Sequence, residues 1–196
     1  MRWFTSDLHL DHNNILYYSK RPFGDLSHQA YEIIGRFNEV IAHSDTVYFL
    51  GDTFFSKGQG QEIRWFRKLN GHKILIQGNH DGPKTLEKAR LAGYDDFIGI
   101  SVNPVISIEG RAFTLSHFPF CPVHVKPVRT FNSRITVEPT PDNWLICGHV
   151  HEKWKKMRCM LNVGVDQWNF YPVSETTILE ETQAIGGDYS IEEVFY

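Results

Sequence analysis

Lys73-Ile74-Leu75-Ile76-Gln77-Gly78-Asn79-His80-Asp81 is the stretch on which the reading of this chain turns. Its first five residues form a short apolar run that reads as a buried strand, and Gly82-Pro83 closes it with a turn. At its carboxyl end the strand delivers a glycine, an amide, an imidazole and a carboxylate side by side. These are ligand and acid–base groups, not packing groups. Open α/β sheets collect ligands in the crevice at that end of their strands, so the stretch predicts a strand-end site. The bland alternative is a polar turn that happens to hold a His, and the other strand ends decide between the two.

Four more polar groups occupy comparable places. Asp7-x-His9 leaves a strand read over 2–6, and Gly51-Asp52 ends one over 46–50. His117 follows a strand over 111–115, and Gly148-His149-Val150-His151 follows one over 144–147. Further strands are read over 95–100, 102–108 and 160–163, with a hairpin turn at Glu109-Gly110. Helices are read over 13–19, 27–42, 61–69, 84–92 and 174–181. The second of these has Ser27 as its N-cap and Ala30, Ile33, Ile34, Phe37, Val40 and Ile41 along one face. The segment 121–142 is Pro-rich, basic and without a clear period. Alternating βα units followed by a mostly β half predict two packed sheets with helices outside, as a single domain over 1–196.

Composition narrows the class. A chain of 196 residues with 41% hydrophobic content can bury a core without staples. A net charge of -3 argues against a broad nucleic-acid footprint and a stable nucleic-acid complex. Cys121, Cys147 and Cys159 form no CxxC pair, so a disulfide framework is not expected and a reducing, cytoplasmic setting fits. No apolar run is long enough to span a bilayer, and no signal-peptide core precedes the first strand.

The residue types at the five strand ends suit two metal ions. Asp7, His9, Asp52, Asn79, His117, His149 and His151 offer hard oxygens and borderline imidazoles, the mix that holds Mn, Fe, Zn or Ni. No cysteine-rich ligand set points to a structural zinc knot. On extended backbone, residues i and i+2 point the same way, so D-x-H and H-x-H would each send two ligands into one cavity. Either pattern alone is common by chance; five strand ends carrying such groups are not.

The order D-x-H, G-D, G-N-H-D, H, G-H-x-H over about residues 3–151 resembles the calcineurin-like metallophosphoesterases. The flanking Trp3 to Asp7, Arg21-Pro22-Phe23, Ser116 to Pro119 and Asn162 to Asp166 resemble the small bacterial and phage members. The resemblance implies a four-layer α-β-β-α sandwich with two mixed sheets and a dinuclear metal site at the strand carboxyl ends. It implies that Asp7, His9 and His151 bind one ion, that Asn79, His117 and His149 bind the other, and that Asp52 bridges both. His80 would then be the acid for the leaving group, oriented by Asp81. One departure is Thr53-Phe54-Phe55, where many relatives carry an acidic residue shortly after the G-D.

Two divalent ions, Mn first with Fe, Zn, Ni or Mg as alternatives, bring +4 against the -2 of Asp7 and Asp52. Even with a bridging hydroxide the centre stays positive. It would attract a phosphate anion and support in-line hydroxide attack, with His80 protonating the departing oxygen. The expected activity is hydrolysis of a small phosphodiester or a nucleotide. A phosphomonoesterase or protein phosphatase, and a non-catalytic scaffold, are the alternatives. Substrate contacts are sought in His12, Arg21, Lys126, Arg129 and Arg134. The aromatics Phe118, Phe120, Trp144, Trp154 and Trp168 read as core.

Overall fold

A computed structural model describes residues 1–54, 61–100, 102–120 and 138–187 of the protein. The expected contacts Lys126, Arg129 and Arg134 lie outside the described residues, as do Phe55 and Cys121.

The first half alternates strand and helix. β1 (Arg2–Thr5), β2 (Thr46–Phe49), β3 (His72–Ile76) and β4 (Asp96–Ile98) pair in parallel, with β10 (Val173–Ser174) antiparallel against β1. The helices between them are α1 (Ile15–Tyr18), α2 (Leu26–Val40), α3 (Gln61–Phe66) and α4 (Pro83–Ala92). The second sheet has the order β5-β6-β7-β9-β8. In it β6 (Arg111–Leu115), β7 (Asn143–Cys147) and β9 (Met160–Asn162) run parallel, with β5 (Val105–Ile108) and β8 (Lys156–Met157) antiparallel at the edges. Both sheets are therefore mixed, as the sequence predicts for an α/β sandwich.

Three apolar clusters hold the layers. Ile33, Phe37 and Phe66 from the helices pack on Val47, Phe49 and Leu75 of the first sheet. Between the sheets, Phe4, Leu50 and Ile76 meet Phe113, Leu115, Trp144 and Ile146, and Ile178 of α5 (Glu175–Glu181) joins them. On the outer face of the second sheet, Leu145, Cys147, Met157 and Met160 pack with Val150, Trp154 and Phe120. Burying a side chain of this size stabilises by about 1.5–3 kcal/mol. Of the expected core aromatics, Phe118, Trp144 and Trp154 are buried, and Phe120 and Trp168 are half-buried against the apolar clusters.

Several local expectations change. α2 is capped by Asp25, whose carboxylate accepts the His28 amide at 2.8 Å, so the helix starts before Ser27. Asp25 has the extended backbone that a cap requires. Val40, expected on the buried face, is exposed, whereas Ile41 just beyond the helix is buried. The segment around 96–98 belongs to the first sheet as a fourth parallel strand, because its backbone pairs with β3. The two-residue strands β8 and β10 carry too short a pattern to be read from sequence. Among the described residues, no helix is long and apolar enough to cross a membrane.

Candidate metal centre

The parallel strands β1, β2 and β3 of one sheet and β6 and β7 of the other all end at the same edge of the sandwich. The loop after β1 runs alongside the loop after β2: the amides of Asp7, His9 and Leu10 donate to the carbonyls of Gly51, Asp52 and Thr53 at 3.1, 3.0 and 2.9 Å. Within the second sheet the Gly148 amide donates to the His117 carbonyl, and across the sheets the Val165 amide donates to the Ser6 carbonyl. These ribbons bring two groups of side chains together. Ligand atoms of Asp7, His9 and His151 all lie within 4.8 Å of one another, and so do those of Asp52, His117 and His149.

The D-x-H and H-x-H segments do not aim their ligands by strand alternation. Asp7 (φ 59°), His9 (φ 48°), Asp52 (φ 53°), His149 (φ 72°) and His151 (φ 46°) all adopt left-handed backbone. Asp and His tolerate this region better than most residues, yet each such residue costs on the order of 1–3 kcal/mol. The middle residues anchor these turns: Leu8 is buried in the helix-side core and Val150 in the cluster behind the second sheet. An apolar plug on one side thus drives the flanking ligands to the other.

Each carboxylate divides its work. Asp7 Oδ2 accepts the His149 amide at 2.8 Å, and Asp52 Oδ1 accepts the His80 amide at 2.8 Å. Their other oxygens face imidazoles. Asp7 Oδ1 lies 4.0 Å from His9 Nε2 and 3.9 Å from His151 Nε2. Asp52 Oδ2 lies 3.8 Å from His9 Nε2, 3.4 Å from His117 Nε2 and 3.9 Å from His80 Nε2. Glycines make the approach possible: a Cβ on Gly78 would overlap Asp52, and one on Gly148 would stand within contact of Ser6 Oγ and Asp7 Oδ2. Gly148→Ala is expected to destabilise the protein by about 1–3 kcal/mol through this overlap. A lower urea midpoint at unchanged m-value checks it.

This donor set fits divalent cations. Asp7 Oδ1 and His9 Nε2 are buried without a hydrogen-bond partner, an expensive arrangement for a carboxylate and an imidazole. Donors that share one ion at about 2.0–2.2 Å sit about 3–4 Å apart, which matches the separations around Asp7 and Asp52. His117 gives the same sign of charge. Its Nδ1 donates to the Leu50 carbonyl at 2.7 Å, and its Nε2 faces Asn79 Oδ1 at 2.9 Å and His149 Nδ1 at 3.2 Å.

The titration of the group points the same way. Burial alone would push the His117 imidazole down, but the Asp52 carboxylate outweighs it and lifts it to about 9. Burial likewise opposes charge on His151, where Asp7 and Asp166 prevail and raise it. Burial drives His9 well down and, helped by the charge of His117, takes His149 to about 3, leaving both neutral as ligands must be. Burial raises the Asp7 carboxyl, whereas the imidazoles around Asp52 overcome burial and depress it. Without an ion, the positive charge beside the carboxylates is thus carried by the protons of His117 and His151, the charge that a bound cation would supply in their place.

A sequence profile described as the Calcineurin-like phosphoesterase superfamily domain matches residues 4–183. The chain belongs to this superfamily. It is 32% identical over 186 residues to the uncharacterized protein MJ1445 of Methanocaldococcus jannaschii, covering 91% of this chain and 89% of that one. It is 29% identical to the Gene 66 protein of Mycobacterium phage L5, covering 85% and 86%. Among solved structures, a protein of unknown function from Aquifex aeolicus is similar at TM-score 0.67 and 26% identity, covering 92% of this chain and 98% of that one.

Around the two groups, this calcineurin-like phosphoesterase superfamily member has a cavity of about 490 Å³ whose walls include His9, His12, His80, His149 and His151. Ile15, Tyr18 and Val150 give it an apolar side, and Glu152 and Lys153 add charge at the rim. His12 lines it as expected, but its Nδ1 is 3.3 Å from His9 Nδ1, so it also holds a ligand. Burial, with the charges of His80 and Arg21, lowers His12 to about 4, so its imidazole is neutral.

Two expected roles change. Arg21 is buried and directed away from the cavity, and all five of its N–H donors are engaged with Asp166, Asp7 O, Leu8 O and Gln29. It has no donor left for a phosphate. The Asp81 carboxylate does not orient His80: its Oδ2 accepts the amides of Gly78 and Asp52 at 2.8 and 2.9 Å, and its Oδ1 has no hydrogen-bond partner. Burial, with the Asp52 charge, raises it to about 7. Asp81 thus ties the third strand's loop to the second strand's loop. Where relatives carry an acid after the G-D, Thr53 Oγ1 pairs with the Tyr94 hydroxyl at 2.8 Å and Phe54 is in the core.

The sequence reading assigned no role to Asp166 or to Asn162. Asp166 Oδ2 contacts His151 Nδ1 at 2.9 Å, and the Asn162 amide donates to the His151 and Trp154 carbonyls. The only signal for Asp166 was its place within the Asn162 to Asp166 stretch that carried the family resemblance.

Proposed function

We propose that this protein is a metal-dependent phosphoric ester hydrolase that uses two divalent ions, Mn first, and acts on a small phosphodiester or a nucleotide. The observation that carries this reading is the approach of His9 and His117, one from each ligand group, to Asp52 Oδ2, beside a cavity of about 490 Å³ walled by His9, His80, His149 and His151. A cavity of that size fits a phosphoester with a sizeable alcohol group.

Asp7, His9 and His151 would hold one ion, Asn79, His117 and His149 the other, and Asp52 would reach both. When bound, the ions supply the positive charge that polarises a phosphoryl oxygen and activates water. The protein's own part is acid–base work and positioning. His80, with its side chain 38% exposed toward the cavity, stands within reach of a departing oxygen. His80 Nε2 gives its proton to that oxygen as the ester bond breaks. His12, neutral, offers a hydrogen bond and no charge, and Ile15 and Tyr18 receive the apolar part of the alcohol. With a net charge of -3, neither a stable nucleic-acid complex nor a membrane partner belongs to this reading.

Hydrolysis of an aryl phosphodiester and of the matching monoester, each with Mn, Mg, Ni and Zn, tests the proposal. Metal-dependent turnover with the diester ahead is the expected result. Faster monoester hydrolysis would replace the diesterase reading, and no hydrolysis with two ions demonstrably bound would leave a scaffold.

A further inference from the structure

One buried ion pair touches Asp7 and His151 of the first ligand group, and the Leu8 carbonyl beside His9. The Arg21 side chain is fully buried and Asp166 nearly so, and they pair twice, at 2.8 and 2.9 Å. The other face of the Arg21 guanidinium donates to the Asp7 carbonyl at 2.7 Å and the Leu8 carbonyl at 3.0 Å. It therefore grips the left-handed turn that presents Asp7 and His9. Asp166 Oδ2, 2.9 Å from His151 Nδ1, holds the third member. A carboxylate can only accept, so Nδ1 of His151 carries a proton and Nε2, 3.9 Å from Asp7 Oδ1, is the nitrogen left to bind an ion. The His9 and His151 rings stack beside each other at 5.0 Å as a result.

The second group rests mainly on other contacts. His117 is fixed by the Leu50 carbonyl and Asp52 by the amide of His80, and the group meets the first where Asp7 Oδ2 accepts the His149 amide at 2.8 Å. The Asp52 amide in turn is held by Asp81.

We propose that Arg21 and Asp166 are positioning residues for the metal position formed by Asp7, His9 and His151, and act far less on that of His117 and His149, which is joined to it through the bond from the His149 amide to Asp7 Oδ2. The inference rests on the two-ion reading above. Ligand-orienting partners of this kind set metal affinity as well as geometry.

Mn²⁺ titration of the whole protein, followed by electron paramagnetic resonance and elemental analysis, tests it. Two variants are compared with the wild type. Asp166→Asn keeps the shape but puts an amide where His151 and Arg21 both need an acceptor. Arg21→Gln with Asp166→Asn removes both charges, so that no guanidinium is left buried without its partner. In each, one Mn²⁺ affinity should fall about 10–100-fold while the other stays within about twofold. The exchange-coupled two-ion signal should give way to that of an isolated ion at limiting metal.

Unchanged affinities in a folded variant would overturn the proposal, as would an equal loss at both positions. Failure of both variants to fold would overturn it too, since the pair would then be a general structural requirement. A wild type that takes up no divalent ion would instead overturn the two-ion reading and this inference with it. Two ions in the wild type with no selective loss in the variants would overturn this inference alone.

Discussion

Asp52→Asn should cost about a thousandfold or more in kcat/KM, on the order of 4 kcal/mol of transition-state stabilisation, and should strip metal from the protein. The substitution is nearly isosteric. Its carbonyl oxygen can still accept the His80 amide, as Asp52 Oδ1 does now. The remaining atom becomes an NH₂ directed toward His9 Nε2 and His117 Nε2, 3.8 and 3.4 Å from the present Oδ2. Two N–H donors then point toward the imidazoles, so cations are repelled, and the metal-free fold loses the pairing of Asp52 with His117. Elemental analysis and thermal unfolding follow both effects: metal content should fall, and the melting temperature of the metal-free protein should fall as well. A full complement of two ions in the variant would contradict the central place given to Asp52.

His80→Ala should reduce kcat by about 10²–10⁴-fold, about 3–5 kcal/mol, with metal content intact. The alanine keeps the backbone N–H that Asp52 Oδ1 accepts, so the second ligand group retains its support. What is lost is the imidazole on the cavity wall, 3.9 Å from Asp52 Oδ2 through its Nε2. The loss should depend on the substrate. A nitrophenolate departs without a proton, whereas an alkoxide does not, so the deficit should be several-fold smaller for activated aryl esters. An equal deficit for both, or loss of metal, would remove His80 from the role of acid.

Strand ends were the legible part of this protein. Apolar runs of four or five residues fixed β1, β2, β3, β6 and β7 to within about a residue, because each is buried on both sides of its sheet. The polar residues directly after those runs are the ones the structure gathers at one edge. What the sequence could not convey was how the ligands are aimed. The left-handed backbone at Asp7, His9, His149 and His151 follows from the burial of Leu8 and Val150 in separate cores, which is a tertiary fact. Arg21 was equally opaque. An arginine fourteen residues after Asp7 and far from Asp166 in sequence looks like a surface cation until the fold closes all its donors. Asp81 differs for another reason: the resemblance implied that it orients His80, and the turn directs its carboxylate to the amides of Gly78 and Asp52 instead. The Asp25 cap was missed because Ser27 and Asp25 are both good caps and local pattern does not rank them.

Each ligand group draws from both sheets: Asp7 and His9 with His151, and Asp52 with His117 and His149. The Asp7–His149 and His117–Leu50 hydrogen bonds cross the same gap. The site is therefore also the clasp of the sandwich. An ion that binds only the closed form adds RT ln(1 + [L]/Kd) to its cohesion, about 2.7 kcal/mol at a hundred times Kd. Metal binding and adhesion between the halves would draw on the same six side chains, and a chelator would test the second as directly as the first.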